Sequence, residues 1–414
     1  MEATARATRH LMRIAVATER LADWGGTETY VLTLADHLQQ LGHDVWIVTA
    51  RSGRAAAWAA ARGFRVLPAG ERPPPDLDLV VSNTTPLALD VAAAEPSVPH
   101  VWVAHSTVSP LQMPPAADVA HRVVALNDRV QRWASAVAGV GPVIRLRQPI
   151  DVRRFAPRGP LHERPRRILL LGNHLSGPRR EAVVEIARVR GIEVDQVGLP
   201  GRLEDAVEDA IGAADVVVGY GRAILEAMAS GRAAYVLDRN GGDGWVTPES
   251  YPALEADGFA GTGTDATVTS ERFAEDLDAF ATWMGTANRD LIMTGHKAQD
   301  HAAALLEAVS GMEPAPSDDA RPQERRDMAS AVRASTSIVE LVDGLNHHVE
   351  VLAERIAELE REGDALRAER DGLRGRLAER DADAEWARRF RDSRRFRLTQ
   401  AVLRPLDRRD GGKA

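Results

Sequence analysis

The stretch that most constrains the fold is residues 214–236, in which a helical segment joins two apolar runs. The first run, 216–218, is followed by a Gly-x-Gly turn at Gly219 and Gly221, and Gly231 ends the helical segment. This order predicts a strand, a loop, a helix and a second strand of a parallel sheet. Because a helix N-terminus exposes backbone amides and the positive end of the helix dipole, a glycine turn there suits an anionic group. We therefore predict that this loop binds a cofactor or a donor substrate.

Strands and helices are predicted to alternate along most of the chain. Apolar runs stand at residues 12–17, 44–49, 64–67, 79–82, 101–104, 122–126 and 143–146, and again at 168–171, 192–197 and 216–218. Such alternation predicts an α/β fold with doubly wound parallel sheets, whose ligands bind at the carboxyl ends of the strands. The segment 158–167 combines prolines with mixed charges and predicts a linker. We expect a disordered tail over residues 1–11, a first domain over 12–157 and a second over 168–312.

Composition excludes several classes of function. The chain has 414 residues and a formal net charge of −8, so its bulk electrostatics do not favour nucleic acid as a partner. It contains no cysteine, which excludes disulfides, thiolate nucleophiles and cysteine-ligated metal sites. Residues 1–11 lack the apolar centre of a secretory signal, and no run approaches the ~18 apolar residues of a membrane span. We therefore expect a cytoplasmic protein.

Two features of the first half are expected at the carboxyl edge of its sheet. Gly25 and Gly26 precede a predicted helix that Thr27 could cap, and they suit either a ligand-binding loop or an ordinary glycine turn. His105 directly follows the run 101–104 and would project from the same rim. A histidine there suits acid–base catalysis or a neutral hydrogen bond to a ligand hydroxyl, and a structural role is the alternative.

Other polar motifs are less specific. Asp76 and Asp78 have the spacing of a metal-binding pair, but they precede their strand, so we predict a solvated turn and no metal. Arg179 and Arg180 follow the strand at 168–171, where they suit either a diphosphate or solvent. Four further histidines are predicted at the surface: His37, His43, His100 and His121.

Four stretches of the chain combine into a recognisable pattern. They are GGTE at 25–28, VAHS at 103–106, QPIDVRRFAP at 148–157 and GYGRAILEAMASG at 219–231. Together they resemble the retaining GT-B glycosyltransferases, particularly glycosyltransferase family four. The third is similar to the family's interdomain signature and the fourth to its donor-site motif, and these two are specific in combination. The resemblance extends over residues 12–310.

The resemblance implies a GT-B fold, in which two Rossmann-like domains face a cleft. The second domain would hold a nucleotide-sugar and the first an acceptor. Glu226 would bind the nucleotide ribose, and the backbone of the glycine loop would contact the diphosphate. The donor-binding residues implied in the second domain are Gly172, Gly219, Tyr220, Gly221, Arg222, Ala223 and Glu226.

The resemblance also implies roles for residues that face the reacting bond. Gly25 and Gly26 would let the first domain approach the phosphates, and His105 would contact the transferred sugar. Arg179 or Arg180 would stabilise the leaving group. Because negative charge develops on the departing phosphate, cations and amides can stabilise the transition state, and no metal or other cofactor is expected.

Three positions depart from the family pattern. Val218 stands where the donor motif has its first glutamate, which affects the contact with the donor sugar. Asn173 replaces the usual arginine after the glycine of the second-domain strand, although Arg179, Arg180 or Arg222 could supply the charge. Gln148 and Pro149 stand in place of the Asn-Gly of the interdomain signature.

The last hundred residues have a different pattern. Residues 313–327 are rich in proline and acids and predict a flexible connector. Apolar residues then recur at alternating steps of three and four, with Gly363 and Arg370 as interruptions: Ile338, Val342, Leu345, Val349, Leu352, Ile356, Leu359, Leu366, Leu373 and Leu377. This heptad pattern predicts a self-associating coiled coil over 328–385, and a single amphipathic helix packed on the globular part is the alternative.

A basic tail is predicted over residues 386–414. Between 386 and 409, arginines alternate with aromatic and aliphatic residues, which suits an anionic membrane surface. Part of this tail resembles a short segment found on bacterial surface-polysaccharide enzymes.

The sequence thus predicts a metal-independent, hexosyltransferase-like enzyme. It would move a sugar, with retention, from a nucleoside-diphosphate-sugar to a cell-surface glycan or its lipid-linked precursor. Such an enzyme would be cytoplasmic and could lie peripherally on the inner face of the cell membrane. The alternative is a catalytically weakened nucleotide-sugar-binding scaffold that assembles partners through its coiled coil.

Overall fold

The computed structural model describes residues 11–68, 71, 76–173, 175–198, 201, 206–238, 241–264, 268–312 and 321–403. The chain divides into two compact units, residues 1–336 and residues 337–414. The first is a globular α/β unit and the second is helical. Residues 1–10, most of the expected tail, and 313–320 of the expected connector lie outside the described part.

The first half of the globular unit is built on a parallel sheet of seven described strands. They are β1 (Arg13–Leu21), β2 (Asp44–Ser52), β3 (Arg65–Leu67), β4 (Leu79–Ser82), β5 (His100–Ala104), β6 (Arg122–Ala125) and β7 (Val143–Arg145). Their order is β3-β2-β1-β4-β5-β6-β7, with every neighbouring pair parallel. The strand order reverses between β1 and β4, which is where doubly wound sheets bind ligands.

Helices α1 (Gly26–Gln40), α2 (Arg54–Ala61), α3 (Thr85–Ala94) and α4 (Asp128–Ser135) connect these strands. Tyr30, Leu34 and Leu38 of α1 are buried against the sheet, as the helical spacing predicts. Asn127 caps α4, since its side chain accepts a hydrogen bond from the Val130 amide at 2.8 Å. Thr27 does not cap α1, because that helix begins at Gly26 and its N-cap residue is Gly25.

The second half of the globular unit contains a smaller sheet. Its described strands are β8 (Arg167–Leu171), β9 (Glu193–Val197), β10 (Val216–Gly219), β11 (Ala233–Leu237) and β12 (Gly242–Trp245). Their order is β12-β11-β10-β8-β9, and only β12 is antiparallel to its neighbour among these strands. Residues 242–245 are therefore an edge strand, although two of the four are glycines. Asp243 stabilises it by accepting hydrogen bonds from the Gly263 and Thr264 amides.

Seven helices accompany the second sheet. They are α5 (Pro178–Val189), α6 (Val207–Ala213), α7 (Arg222–Ala229), α8 (Tyr251–Asp257), α9 (Ser270–Asp278), α10 (Trp283–Gly295) and α11 (Ala298–Val309). The predicted second domain extends to residue 312 and so includes α11, but the apolar face of α11 packs against the first sheet. Ala302, Leu305 and Val309 of α11 are buried in the core of the first sheet. The chain therefore crosses back to the first domain, because the apolar face of α11 is covered there.

Helix α12 (Pro322–Asp392) begins before the predicted start of the coiled coil at residue 328. Its first turns belong to the globular unit, since Ala329 is fully buried and Thr336 nearly so. Arg325 donates to the Ala92 carbonyl, and Arg333 pairs with Glu19 at 2.7 Å. These contacts explain why the end of the predicted connector is helical.

The second unit contains the rest of α12 and α13 (Arg394–Leu403). Glycine has a low helix propensity, but the glycines at 363, 372 and 375 do not interrupt α12. The two helices meet at Ser393, whose hydroxyl accepts from the Phe396 amide and donates to the Phe390 carbonyl. None of the described helices is long and apolar enough to cross a membrane.

Candidate functional site

A cleft of about 1010 Å³, including space open to solvent, lies within the globular unit where β1, β8 and β10 end. Its first-domain wall consists of Asp23, Trp24, Gly25, Gly26, Thr29 and Arg54, joined by Arg154 and Phe155 of the interdomain segment. Its second-domain wall consists of Leu171, Gly172, Asn173, Val197, Gly198, Val207, Tyr220, Gly221, Arg222, Ala223 and Glu226. Both predicted glycine loops therefore line one cleft.

The first glycine loop lies beside the Glu28 carboxylate. A Cβ atom at Gly25 would lie 2.5 Å from the Glu28 Oε2 atom, so that side chain would have to shift. A Cβ at Gly26 would lie 3.9 Å from the Arg222 Cβ, which is an ordinary contact across the cleft. Burial raises the pKa of the Glu28 carboxyl, against the effects of its own backbone hydrogen bond and of Arg20. The loop thus brings first-domain backbone close to the start of α7.

Glycines also shape the opposite wall. Gly172 follows β8 with a φ of 146°, and a Cβ there would lie 3.1 Å from the Tyr220 ring. A Cβ at Gly198 would lie 2.6 Å from the Gly172 carbonyl oxygen. The Tyr220 hydroxyl donates to the Asn173 carbonyl, which ties the two loops together. Gly172 is therefore required for the close packing of the cleft wall.

Gly221 is the N-cap of α7, with a φ of 58° that favours glycine. Its amide donates to the Phe259 carbonyl at 2.7 Å and is therefore already occupied. Arg222 and Ala223 form the first turn of α7, where backbone amides lack intrahelical acceptors. Gly219 does not line the cleft. Its Cβ would lie 2.5 Å from the Leu171 carbonyl oxygen, so it serves the packing of β10 against β8.

Arg222 and Glu226 form a buried ion pair at the start of α7. The Arg222 Nε donates to Glu226 Oε1 at 2.8 Å, and the two side chains are 6% and 9% exposed. Burial raises the pKa of the Glu226 carboxyl, against the attraction of Arg222 and Arg154. Burial likewise lowers the pKa of Arg222, against the attraction of Glu226. Because desolvation offsets much of this attraction, the pair depends on its further hydrogen bonds.

Those further bonds join the two domains. Arg222 Nη1 donates to the Pro149 carbonyl of the interdomain segment at 2.9 Å, and Nη2 donates to Thr33 Oγ1 of α1 at 3.2 Å. The guanidinium is thus committed to holding the first domain against the second. What Arg222 can offer a ligand is its backbone amide, which lies in the first turn of α7.

Two buried histidines hold the interdomain backbone. His301 Nδ1 lies 2.9 Å from the Arg147 carbonyl oxygen, and its Nε2 lies 3.0 Å from the Tyr30 hydroxyl. His296 makes contacts of the same kind. Its Nδ1 atom lies 2.7 Å from the Gln148 carbonyl oxygen, and its Nε2 atom lies 2.8 Å from the Tyr251 hydroxyl. Burial lowers the pKa of each histidine to about 4. A neutral ring that donates from Nδ1 and accepts at Nε2 satisfies both contacts.

His105 directly follows β5 but does not line the cleft. Its ring packs edge-on against Tyr30, with centroids 4.6 Å apart. Its Nε2 atom is buried and has no hydrogen-bond partner in the described part of the chain. Burial, together with Arg222 and His301, lowers the pKa of His105 to about 3. The ring is therefore neutral near pH 7, which favours hydrogen bonding over acid–base catalysis.

The two arginines predicted to stabilise a leaving group lie outside the cleft lining. Arg179 and Arg180 stand in the first turn of α5, and Arg180 Nε donates to Gln196 Oε1 at 2.8 Å. The cations that line the cleft are instead Arg54, Arg154 and Arg222. Arg179 and Arg180 follow their strand in sequence, but neither is among the described residues that line the cleft.

Arg154 is a cleft residue that the sequence analysis did not single out. It donates twice to Glu208 Oε2, at 2.9 and 3.0 Å, and its guanidinium carbon lies 5.7 Å from the ring centres of Trp24 and Trp58. Its position within the interdomain stretch QPIDVRRFAP was the available signal. That signal identifies the segment without showing which of its arginines faces the cleft.

Val218 occupies a core position. It is fully buried in β10, where it is paired with Leu170 and Tyr235. A carboxylate at this position would be buried among apolar side chains and far from water. Asn173, by contrast, lines the cleft at the place of the family's arginine.

Three of the four histidines predicted at the surface are buried: His37, His43 and His100. Each has at least one hydrogen-bond partner. His37 Nδ1 lies 2.9 Å from the Thr33 carbonyl oxygen, His43 accepts from the Met12 amide at 3.2 Å, and Ser82 Oγ lies 2.7 Å from His100 Nε2. His121 is partly exposed and accepts from the His100 amide at 3.0 Å. These four side chains therefore serve the packing of the first domain.

Asp76 and Asp78 make the contacts of a structural turn. Asp78 accepts from the Arg13 amide at 2.7 Å, and Asp76 lies 3.6 Å from the Arg13 guanidinium. Among the described residues, one group has the spacing of metal ligands, Asp36, His37 and Asp151. Arg153 lies 3.4 Å from a carboxylate oxygen of each of these two aspartates, so a cation already occupies their neighbourhood.

Solved structures with the same fold are known. A glycosyltransferase from Anabaena, HepE, in complex with UDP and glucose matches 73% of this chain and 100% of its own at a TM-score of 0.53 and 12% identity. A glycosyltransferase from Rickettsia africae matches 72% of this chain and 98% of its own at the same TM-score and identity. An alpha-glucosyltransferase in complex with UDP and DNA matches 72% and 100% at a TM-score of 0.50 and 11% identity.

Neither a family model nor a curated protein matches the sequence. The likeness to these solved structures concerns the three-dimensional arrangement, with two Rossmann-like domains on either side of a cleft. The globular unit therefore has the GT-B fold, and a long helix follows it.

Proposed function

We propose that this chain is a glycosyltransferase that uses a nucleoside-diphosphate-sugar donor. The observation that carries the proposal is the cleft itself, in which the glycine loops of both domains and three arginines converge. The first turn of α7, at the positive end of the helix dipole, and the arginines that line the cleft suit a diphosphate. Solved structures of this fold have been obtained with UDP, which makes UDP the first nucleotide to test.

Donor binding is assigned to the second-domain wall. A ribose hydroxyl can donate to Glu226 beside Arg222, because a carboxylate accepts about four hydrogen bonds. The first turn of α7 would contact the diphosphate through the amides of Arg222 and Ala223. Gly25 and Gly26 would close over the phosphates from the first domain.

The transfer step places negative charge on the departing diphosphate. The anomeric carbon–oxygen bond breaks, the acceptor hydroxyl oxygen forms the new glycosidic bond and loses its proton, and the nucleoside diphosphate leaves. Arg154 and Arg54 line the cleft where this charge would develop, and we assign them the role first expected of Arg179 and Arg180. Retention, a hexose as the transferred sugar and independence of metal remain part of the proposal.

His105 is proposed to act on the sugar side as a neutral residue. A low pKa leaves its Nε2 available for one hydrogen bond, and that atom is buried without a partner among the described residues. A small rearrangement on donor binding would bring this nitrogen to a sugar hydroxyl.

Val218 supports a second candidate function, a scaffold that binds a nucleotide-sugar without turnover. The position that carries a glutamate in the family motif lies in the core, and no other described acidic residue besides Asp23 and Glu226 lines the cleft. Without that carboxylate, contact with the donor sugar would depend on other groups.

Calorimetry and a turnover assay separate the two candidates. Binding of UDP, GDP and dTDP would be measured first, followed by release of nucleoside diphosphate from the matching sugars with acceptor extracts. For the enzyme we expect binding and turnover, with Arg154→Gln losing turnover and Arg180→Gln retaining it. Binding without turnover on any acceptor would favour the scaffold, and absence of nucleotide binding would refute both.

The acceptor is proposed to be a cell-surface glycan or its lipid-linked precursor, reached at an anionic membrane surface. The basic segment contains an aromatic group, with Trp386 stacked on Phe390 at 5.3 Å and Phe390 in contact with Phe396 at 5.4 Å. Trp386 is 66% exposed, so this group can enter a lipid interface. Removal of residues 386–414 should abolish pelleting with vesicles that contain anionic lipid, and unchanged pelleting would refute the membrane role.

A further inference from the structure

Helix α12 carries a row of apolar side chains that no described residue of its own unit covers. Gly363 and Arg370 interrupt its heptad spacing, and the ten apolar members are each between 48% and 65% exposed: Ile338, Val342, Leu345, Val349, Leu352, Ile356, Leu359, Leu366, Leu373 and Leu377. The backbone is helical without interruption along the whole row. A continuous helix with one exposed apolar row is half of a coiled coil.

The residue types in this row specify how many helices associate. In heptad notation, the d positions hold Ile338 followed by leucine in the next five heptads. The first three a positions hold the β-branched residues Val342, Val349 and Ile356. Leucine at d with β-branched residues at a favours two parallel strands over three or four.

The charged residues beside the row specify the partner. In a parallel, in-register pair of identical helices, each g residue faces the e residue five positions later on the other helix. Every such pair from residue 355 onward joins opposite charges. With the second residue on the other copy, the pairs are Arg355–Glu360, Glu362–Arg367, Glu369–Arg374, Arg376–Asp381 and Asp383–Arg388.

An antiparallel pair of helices would bring fewer opposite charges together. The antiparallel register that covers the whole apolar row places Val349 against Leu366 and brings g residues opposite g residues. In that register only Arg355 and Glu362 would join opposite formal charges. The charge pattern therefore distinguishes the two orientations.

The arginines at these positions are available to a second copy. In the single chain, Arg367 pairs with Asp364 in the same helix, with side chains 67% and 75% exposed. Arg374 approaches Asp371 at 4.0 Å, with side chains 72% and 61% exposed. Such exposed local pairs are weak and can be exchanged for contacts across a helix interface.

We propose that residues 338–388 bind a second copy of this chain as a parallel, in-register, two-stranded coiled coil. The partner follows from self-complementary charge at five successive g–e positions and from the uncovered apolar row. Gly363 and Arg370 at a positions and Arg380 at a d position would each face their own counterparts, and a polar core position fixes register at a cost in stability. The inference does not depend on the proposed enzymatic activity.

Cysteine cross-linking of the full chain tests the orientation, because the natural sequence contains no cysteine. Val349→Cys and Leu366→Cys each place a thiol in the apolar row, and Ala368→Cys places one on the outward face as a control. Under a glutathione redox buffer, we expect most of each row variant, separately, to become a covalent dimer. The control should remain monomeric on the same non-reducing gel.

The same variants can overturn the proposal. Cross-linking only when Val349→Cys and Leu366→Cys are mixed would show an antiparallel pair. No cross-linking in any sample, together with a monomer by sedimentation, would show that the row is not a dimer interface. Circular dichroism of each variant verifies that α12 remains helical.

Charge reversal tests the pairing itself. In the first double variant, Glu362→Arg with Glu369→Arg, the g residues repel Arg367 and Arg374 of a second copy. In the second, Arg367→Glu with Arg374→Glu, the e residues repel Glu362 and Glu369 of a second copy. We expect each double variant alone to dimerise about tenfold or more weakly. The equimolar mixture should regain wild-type affinity, since all four altered pairs again join opposite charges. A mixture as weak as its components would refute the g–e pairing.

Discussion

The globular unit and the long helix use charge in opposite ways. In the globular unit, Arg222 bridges Glu226, the Pro149 carbonyl and Thr33, which lie on three distant parts of the chain. In the helix beyond residue 336, ion pairs such as Arg367–Asp364 join residues one turn apart and stay exposed. The buried Arg222 side chain joins distant elements through its bonds to Pro149 and Thr33, although Glu226 is only one helical turn away. Exposed local pairs do little beyond supporting a helix.

Apolar side chains differ in the same way. The globular unit buries its large residues in continuous cores, such as Trp102 and Phe155. The helix leaves an apolar row exposed along its length. The globular unit therefore covers most of its large apolar side chains itself, whereas the described part of the helical unit leaves its apolar row exposed.

The largest expected contrast comes from removing one charge in each region. Arg222→Leu leaves Glu226 buried without its partner and should cost about 3–5 kcal/mol of unfolding free energy. Arg367→Leu, on the exposed helix, should change the unfolding free energy of the globular unit by less than about 0.5 kcal/mol. Urea unfolding followed by tryptophan fluorescence measures both. Equal effects would contradict the contrast between the regions.

Acidification tests the buried histidines of the globular unit. The folded-state pKa of His301 and His296 is about 4, below the value of 6.5 for a free histidine. The unfolded chain then binds more protons between pH 6.5 and 4, so stability is highest above pH 6.5 and falls as the pH drops through this range. Each histidine contributes on the order of 3 kcal/mol over the window.

His301→Gln should therefore reduce the slope of unfolding free energy against pH by about one proton. Tyr30→Phe removes the hydroxyl partner of His301 but keeps the titrating ring, and it should lower stability without changing the slope. A slope that is the same in His301→Gln as in the natural chain would argue against a buried neutral histidine.

Replacing a glycine by alanine should destabilise the globular unit but stabilise the long helix. Gly221 has a φ of 58° and open space where a Cβ would lie, so Gly221→Ala should cost about 1–2 kcal/mol through backbone strain alone. Gly375 lies inside α12 with open space around it, so Gly375→Ala should stabilise that helix by about 1 kcal/mol. Urea unfolding and helix melting by circular dichroism provide the two measurements.

The smallest effect is expected for a local pair of the helix. Asp364→Asn removes the partner of Arg367 and should lower helix stability by about 0.3 kcal/mol at low salt. The difference should disappear in 1 M salt, at about a 3 Å Debye length. Persistence of the effect at high salt would indicate a contact beyond the exposed ion pair.

Much of the fold was predictable because it depends on local pattern. Apolar runs separated by glycine corners identified the strands on either side of the cleft, including β1, β8 and β10. The heptad spacing of apolar residues predicted the row on α12. Residues 242–245 were missed, since two glycines and an aspartate resemble a loop until the pairing with β11 is seen.

The sequence by itself determined the glycine corners of the cleft, because the missing Cβ and the tolerance of a positive φ belong to glycine alone. Only the tertiary structure decided which charged side chains line that cleft. It placed Arg154 in the lining, paired Arg180 with Gln196, directed the Arg222 side chain to Thr33 and Pro149, and buried His105 beside Tyr30. These outcomes depend on how elements far apart in the chain pack together, so no local sequence pattern predicts them.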